Sequence, residues 1–281
     1  MTTHEPQPEH ARTLSAPDVG AADRAFSLKA AEYDAMAETH PIVIWMRNRI
    51  RQLVEKHCPE KGKILELNAG SGLDAAYFAA QGYRVHATDV AQGMLAATAE
   101  KALLPSSGGR LTQQSLSFTD VDRVEGAPYD LVFSNLGGLN CIEDLTDVTG
   151  LLPKILYPGS KVVWVIMPPL CPWELAQALR GDTRTATRRL KAGGFAHIEG
   201  GQDVRVWYHS VGRTAAGLGP RFDIIDVRSY GLFSPPSFFE GFIRRHPRLT
   251  SALTRLDDLL ARRWPFNRAG DFYAITARFR G

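Results

Sequence analysis

Residues 63–94 read KILELNAGSGLDAAYFAAQGYRVHATDVAQGM, and the order of residue types in this stretch decides the fold. The apolar run 63–67 makes a short strand with one charge, Glu66, near its carboxyl end. A turn follows at 68–72, where Gly70 and Gly72 allow positive φ and close approach of backbone to a ligand. Between Asp74 and Gln81 apolar residues recur at helical spacing (Ala75, Ala76, Phe78, Ala79), and Gly82 stops the helix. A second strand over 83–88 ends at Asp89, 19 residues after Gly70. A helix N-terminus facing a glycine turn collects polar ligand groups, and an acid about 20 residues on suits ribose hydroxyls. The stretch reads as a nucleoside-binding βαβ unit.

Which nucleoside it takes turns on the residues ahead of the glycines. Gly70-Ser71-Gly72-Leu73-Asp74-Ala75 satisfies the loose dinucleotide fingerprint G-x-G-x-x-A, a weak match alone. The string Glu66-Leu67-Asn68-Ala69-Gly70-Ser71-Gly72 resembles the first motif of class I S-adenosylmethionine (SAM)-dependent methyltransferases: an acid, one residue, then alternating small or glycine positions. Glu66 repels a pyrophosphate and favours the ammonium at the methionine end of SAM. Asn68 stands where that family usually has glycine. The resemblance implies SAM as cofactor, S-adenosylhomocysteine as product, and cofactor contacts from Glu66, Asn68, Ala69, Gly70 and Gly72. Asp89 then belongs to the ribose, Val90 is a further expected cofactor contact, and Met94 falls where the family packs an apolar residue near adenine.

The chain has 281 residues and a formal net charge of +3. That length suits one large α/β domain with elaborations. The near balance of charge argues against a dedicated nucleic-acid binder. Three cysteines, Cys58, Cys141 and Cys171, are odd in number and far apart, which indicates neither a disulfide framework nor a zinc site. No run of 18 apolar residues and no signal-peptide core is visible, so a soluble cytoplasmic protein is expected.

In chain order, 1–23 is rich in Pro, Thr, Glu and Ala without periodicity and is expected to be a disordered tail. Residues 24–58 hold N-terminal helices over the cofactor site, and 59–281 form the SAM-binding domain. Pro41 opens the second helix, whose core side is Ile44, Met46, Ile50 and Val54. Tyr33-Asp34 resembles a dipeptide of small-molecule methyltransferases in which the tyrosine closes over the SAM carboxylate; a tyrosine packed between helices is the alternative. Arg47 is a second candidate for that carboxylate. A helix is expected over 91–104 and a third strand over 110–116, followed by Ser117 and Phe118. There the family commonly holds the adenine amino group with an acid, so the contact here falls to the Ser117 hydroxyl or backbone. The fourth strand, 129–134, runs into Asn135-Leu136-Gly137-Gly138-Leu139-Asn140-Cys141. Ligands of open α/β sheets lie beyond strand carboxyl ends at the switch point, which places Asn135, Leu136 and Gly137 by the sulfonium; turn-capping is the ordinary role of such an asparagine. A helix over 142–156, a turn at 157–160 and a fifth strand over 161–167 complete the part that resembles the family closely. Strands over 204–208, 222–230 and 272–279 and a helix over 210–218 follow. The implied fold is the α/β, Rossmann-like seven-stranded sheet of class I methyltransferases, with helices on both faces and a lid built from insertions after strands five and six.

Those insertions, 168–208 and 231–270, are rich in aromatics. A pocket for an apolar or planar acceptor is one use of such rings, and packing is the other. Asn140, Trp173, Tyr208 and Phe233 are the expected substrate-pocket residues. Leu249, Leu253, Leu256, Leu260 and Trp264 mark one helical face, and 241–268 carries seven arginines against Asp257 and Asp258. Such a helix lies on a membrane in some proteins; packing on its own domain is the preferred reading. Methyl transfer to a carbon or oxygen commonly requires a base, for which His209 is the candidate, although its position also suits capping of the helix at 210. No metal-ligand spacing is present. The expected activity is therefore transfer of a methyl group from SAM to O, N or C of a small acceptor. A catalytically inactive partner-binding protein on the same scaffold and a nicotinamide-dependent oxidoreductase are the alternatives.

Overall fold

Nine strands are present in the structure, a computed structural model that describes residues 20, 23, 30–191, 193–198 and 202–281. They are β1 (Lys63–Leu67), β2 (Arg84–Asp89), β3 (Leu111–Ser115), β4 (Tyr129–Ser134), β5 (Leu156–Ile166), β6 (Gly194–Ile198), β7 (Gln202–Val206), β8 (Phe222–Tyr230) and β9 (Phe272–Phe279). Seven of them form one sheet in the order β3-β2-β1-β4-β5-β9-β8, and β6 and β7 pair separately. β9 runs antiparallel between β5 and β8, while β1 to β5 are parallel. The seven-stranded α/β sheet expected from the sequence is thus present, its late antiparallel pair included.

Alternation along the strands divides two cores. Leu65, Leu67, Val132, Trp164 and Ile166 point to one face. Ile64, Leu131, Phe133, Val163 and Val165 point to the other, with Ile50 and Val54 of α2 (Pro41–His57) and Phe78 of α3 (Leu73–Ala80) packed on them. Period-two geometry puts Glu66 on this second face, with Ile64, beneath α2 and α3. α1 (Ala30–Thr39) precedes α2, and α4 (Gln92–Ala102) links β2 to β3. The tail expected over 1–23 falls, apart from Gly20 and Asp23, outside the described residues. Asp23 itself accepts the Gln92 N–H at 2.8 Å, at the first residue of α4. Among the described residues no helix is long and apolar enough to cross a membrane.

Three expectations are corrected. The helix over 142–156 is reduced to one turn, α5 (Thr146–Thr149), and a 3₁₀ turn at Leu152–Lys154. Asp144 accepts the Thr146 N–H at 2.9 Å and starts a fresh turn, while Pro153 cannot donate to a helical ladder. The turn at 157–160 is instead drawn into β5: Tyr129 pairs with Leu156 and Leu131 already with Lys161, the surplus residues bulging at Gly159 with φ +88°. The strand read at 204–208 is β7, displaced toward its N-terminus and paired with β6, which the paired glycines at 193–194 concealed.

The two insertions hold α6 (Pro172–Leu175), α7 (Thr183–Thr187), α9 (Glu240–Arg245) and α10 (Pro247–Leu260), with α8 (Val211–Leu218) between them. A buried ion cluster anchors the first. Arg189, nine-tenths buried, donates to Glu174 Oε1 at 2.7 Å and Asp271 Oδ1 at 2.8 Å. Cys171, Glu174 and Asp271 lie within metal-ligand distance of one another, and the guanidinium fills the position a cation would neutralise. A buried acid anchors the second. Asp257 accepts the N–H groups of Leu232, Phe233 and Ser234 at 3.1, 2.9 and 2.9 Å and the Ser234 hydroxyl at 2.5 Å. Four donors on one buried carboxylate outweigh a leucine stripe, so α10 is rotated from the face expected for it. Thr250 and Asp257 face inward, and Leu249 and Trp264 are exposed.

Candidate active site

The turn after β1 is left-handed at three alternate residues: Asn68 (φ +53°), Gly70 (+57°) and Gly72 (+76°). Asparagine is among the few side chains that enter this region readily, so Asn68 keeps the backbone shape that glycine would give. Room for its side chain comes from Gly138, where an added Cβ would stand 2.5 Å from the Asn68 Cβ. At Gly72 an added Cβ would meet Thr98 Oγ1 at 2.6 Å. That hydroxyl is shared between the carbonyls of Gly70 and Met94, at 3.0 and 3.1 Å. Ala69 N–H continues the β1–β2 pairing on Thr88 O. Asp89 closes the turn: Oδ2 accepts the Gly70 N–H at 2.8 Å, and Oδ1 those of Val90 and Ala91 at 2.8 and 2.9 Å. Burial raises its pKa against the pull of these three N–H groups. Met94, buried, lies beside Gly70.

Two buried acids sit under this turn with their pKa values shifted in opposite directions. Asp74, in the first turn of α3, accepts Arg47 Nη1 at 2.6 Å, Arg51 Nε at 2.7 Å and Asn135 Nδ2 at 2.7 Å. Burial pushes its carboxyl up, but Arg47, Arg51 and the Asn135 hydrogen bond together hold it below the ordinary value. Glu66 is 2 % exposed, and its Oε2 has no partner among the described residues. Burial, and then the Asp74 charge, push its pKa well above the ordinary value. Arg47 Nε is likewise buried and unpartnered. An acceptor and a donor are therefore both unspent at one site.

The end of β4 meets the end of β1, Leu67 pairing with Ser134. Asn135 binds Asp74 through Nδ2 and the Leu136 N–H through Oδ1 at 2.8 Å. Leu136 (φ +47°) and Gly137 (φ +81°) are both left-handed; for Leu136 this is a strained conformation, of the kind that clusters at ligand sites. Gly137 N–H is held on Val165 O at 3.0 Å.

The other expected site residues divide. Tyr33's side chain lies outside the described residues. Its neighbour Asp34 accepts the Ser71 hydroxyl in a short hydrogen bond and Lys101 Nζ at 2.6 Å, fastening α1 to the glycine turn and to α4. Ser117 is a cap: its Oγ accepts the Thr119 N–H at 3.3 Å. Phe118 is buried in the core. Trp173 donates from Nε1 to Phe233 O at 3.0 Å and stacks edge-on with Phe242 at 5.0 Å. Tyr208, half-buried, lies under Arg189, 5.4 Å from ring to guanidinium.

Two assignments are corrected. Asn140 is fully buried, with Nδ2 donating to Met167 O and Trp207 O at 3.1 and 2.6 Å and Oδ1 accepting Met167 N–H at 2.9 Å. Its amide clamps backbone and is spent. His209 is fully buried as well, with Nε2 on Ile142 O at 2.9 Å and Nδ1 unpartnered. Burial lowers its pKa to about 4, so it neither reaches an acceptor nor takes up a proton near neutrality. Sequence reading missed Asp74, Arg51 and Thr98. The i, i+4 spacing of Arg47 and Arg51 on one helix was the available signal for a shared acid.

No family model and no curated protein matches the chain. Solved structures do resemble it. A SAM-dependent methyltransferase from Methanosarcina mazei shares 14 % identity, with 81 % of this chain and 96 % of that one covered and a TM-score of 0.56. The 1,6-didemethyltoxoflavin-N1-methyltransferase of Burkholderia thailandensis, solved with its substrate and S-adenosylhomocysteine, shares 16 % identity over 99 % and 100 % of the chains, TM-score 0.56. The [4+2]-cyclase SpnF shares 14 % over 94 % and 97 %, TM-score 0.60. The chain has the fold of class I methyltransferases.

Two outcomes follow from the geometry. Gly138→Ala should destabilise the fold by about 1–3 kcal/mol, the cost of overpacking, and Asn68→Gly in the same chain should restore most of the loss. Urea melts of both single variants and the double variant measure the coupling, and simple additivity would show the two positions to be independent. His209 stays neutral in the folded state down to about pH 4, whereas the unfolded chain protonates it near pH 6.5. Stability should fall with pH inside that window, by at most about 1.4 kcal/mol per unit from this residue. His209→Phe should flatten the slope in thermal melts between those limits.

Proposed function

We propose that the chain is a SAM-dependent methyltransferase acting on O, N or C of a small, apolar or aromatic acceptor. The observation that carries this reading is the pair of unspent buried atoms, Glu66 Oε2 and Arg47 Nε. One accepts and the other donates, as the ammonium and carboxylate of the methionine end require. The first turn of α3 argues in the same direction. In a dinucleotide-binding domain that helix terminus receives pyrophosphate; here the Asp74 carboxylate already fills it, held by Arg47, Arg51 and Asn135. A nicotinamide dinucleotide would meet two acids where it needs a cation.

SAM supplies the methyl group on a sulfonium when bound. Glu66 and Arg47 would hold its zwitterionic end, Asp89 its ribose, and Met94 the side of its adenine. Asn68, Ala69, Gly70 and Gly72 give the backbone a close approach, and Leu136 and Gly137 do so from the end of β4. The fold is shared with a cyclase, so transfer of the methyl group is a claim separate from cofactor binding. The two insertions act as a lid, with Trp173, Tyr208 and Phe233 as walls for the acceptor. Orientation of the reactants supplies the rate, and His209 plays no part in it. Asn68, which stands where the family usually has glycine, preserves the turn and so supports a working site.

Three measurements test this. Calorimetry should show SAM or S-adenosylhomocysteine bound and NADH ignored; the reverse would overturn the reading. Glu66→Gln should weaken SAM while raising the thermal midpoint. The raised pKa of Glu66 means that stability present below the unfolded value, about 4.3, is lost as pH rises toward the folded one. The variant escapes that loss, by roughly 2–4 °C for each kcal/mol recovered. Trp173→Ala or Phe233→Ala should lower acceptor kcat/KM, measured as S-adenosylhomocysteine formed, with the SAM Kd within about twofold of wild type. Unchanged kinetics in both would make these rings packing only.

A further inference from the structure

The second insertion turns outward a surface that the proposed site does not use. Its inward side is fixed by Asp257, so the outward side of α10 carries Arg248, Arg255 and Leu259, spaced i, i+7 and i+11 along one stripe. Leu259 is 72 % exposed and Trp264, four residues beyond the helix, 76 %. Phe238 and Leu249 are exposed as well. Nine of the fifteen exposed large apolar side chains among the described residues fall within the two insertions. The distribution of charge is as uneven. Arg244, Arg245, Arg248, Arg255, Arg263 and Arg268 pair with no carboxylate among the described residues. The acids nearby are already spent. Asp257 is buried on three N–H groups, Asp258 is on Arg49 at 2.7 Å, and Asp226 is on Arg228 and Arg262. Glu240 is the exposed exception.

We propose that this face, the outward side of α10 with the segment through Arg268, docks on an anionic lipid surface. Unpaired guanidinium groups seek phosphate, and exposed Leu259 and Trp264 among them have apolar area that only a bilayer interface would bury without a shaped partner. An acidic protein groove would require a cleft or ridge to match, and α10 presents a convex helix. Nucleic acid would use the arginines but leave Leu259 in water. The inference is independent of methyl transfer.

The test is flotation of the full chain with phosphatidylcholine vesicles, with and without about one-third phosphatidylglycerol. Wild type should float with the anionic vesicles and stay behind with the neutral ones, and added salt should release it. The triple reversal Arg248→Glu, Arg255→Glu, Arg263→Glu should reduce binding at least about tenfold. Leu259→Ser with Trp264→Ser should reduce it separately, and both variants should keep the wild-type thermal midpoint because every altered side chain is exposed. Tryptophan emission should shift to the blue on vesicles and lose that shift in Trp264→Phe. Failure of wild type to float on anionic vesicles overturns the proposal. So does binding indifferent to Leu259 and Trp264 together with equal capture by duplex DNA, which would assign the arginines to nucleic acid.

Discussion

The Asp74 carboxylate is the constraint on which the site depends. It is 3 % exposed, and three donors from two other elements converge on it: Arg47 and Arg51 from α2, and Asn135 from the end of β4. Breaking such a buried pair by removing one partner costs about 3–5 kcal/mol, because the remaining charges are left without compensation. Asp74 thereby locks the helix that covers the sheet, the helix that follows the glycine turn, and the strand end that faces it. It also decides the ionisation of its neighbour. With Asp74 held negative, Glu66 carries the repulsion as well as the burial, and stays unspent.

Around that hub the turn is fastened from each side by a different kind of bond. Asp89 gathers three backbone N–H groups, Thr98 ties the Gly70 carbonyl to α4, and Asp34 reaches Ser71 from α1 while paired to Lys101. Asn68, Gly70 and Gly72 take the left-handed region at little steric cost, and these contacts fix the turn in that shape.

The insertions follow a similar rule farther out. Each is anchored by a buried ionic group rather than by an apolar stripe: Arg189 between Glu174 and Asp271 for the first, Asp257 on the 232–234 backbone for the second. Directional groups of this sort fix rotation, which leucines at helical spacing leave loose. For that reason α10 shows its arginines and Leu259 to the outside while the acids nearby are spent within.

The sequence alone determined the sheet and the glycine turn. Alternation, glycines and the acid 19 residues beyond Gly70 are local patterns, and local patterns specify strands and turns through backbone sterics and period. Residues 63–94 therefore gave up Glu66, Gly70, Gly72 and Asp89 at once, and even Asn68 kept the conformation its position demands. What only the tertiary structure decided is what each polar side chain is bonded to. His209 looked like a base and is a buried neutral ring, Asn140 looked like a pocket residue and is a backbone clamp, and Asp74 passed unnoticed although three elements meet through it and its partners. The helix expected over 142–156 failed for a local reason, Asp144 and Pro153, that apolar periodicity outweighed in the reading. The rotation of α10 was hidden because Asp257 finds its donors some 25 residues upstream. Hydrogen-bond partners are brought together by the fold across long stretches of chain, and beyond pairs on one helix, such as Arg47 and Arg51, spacing along the sequence does not record them.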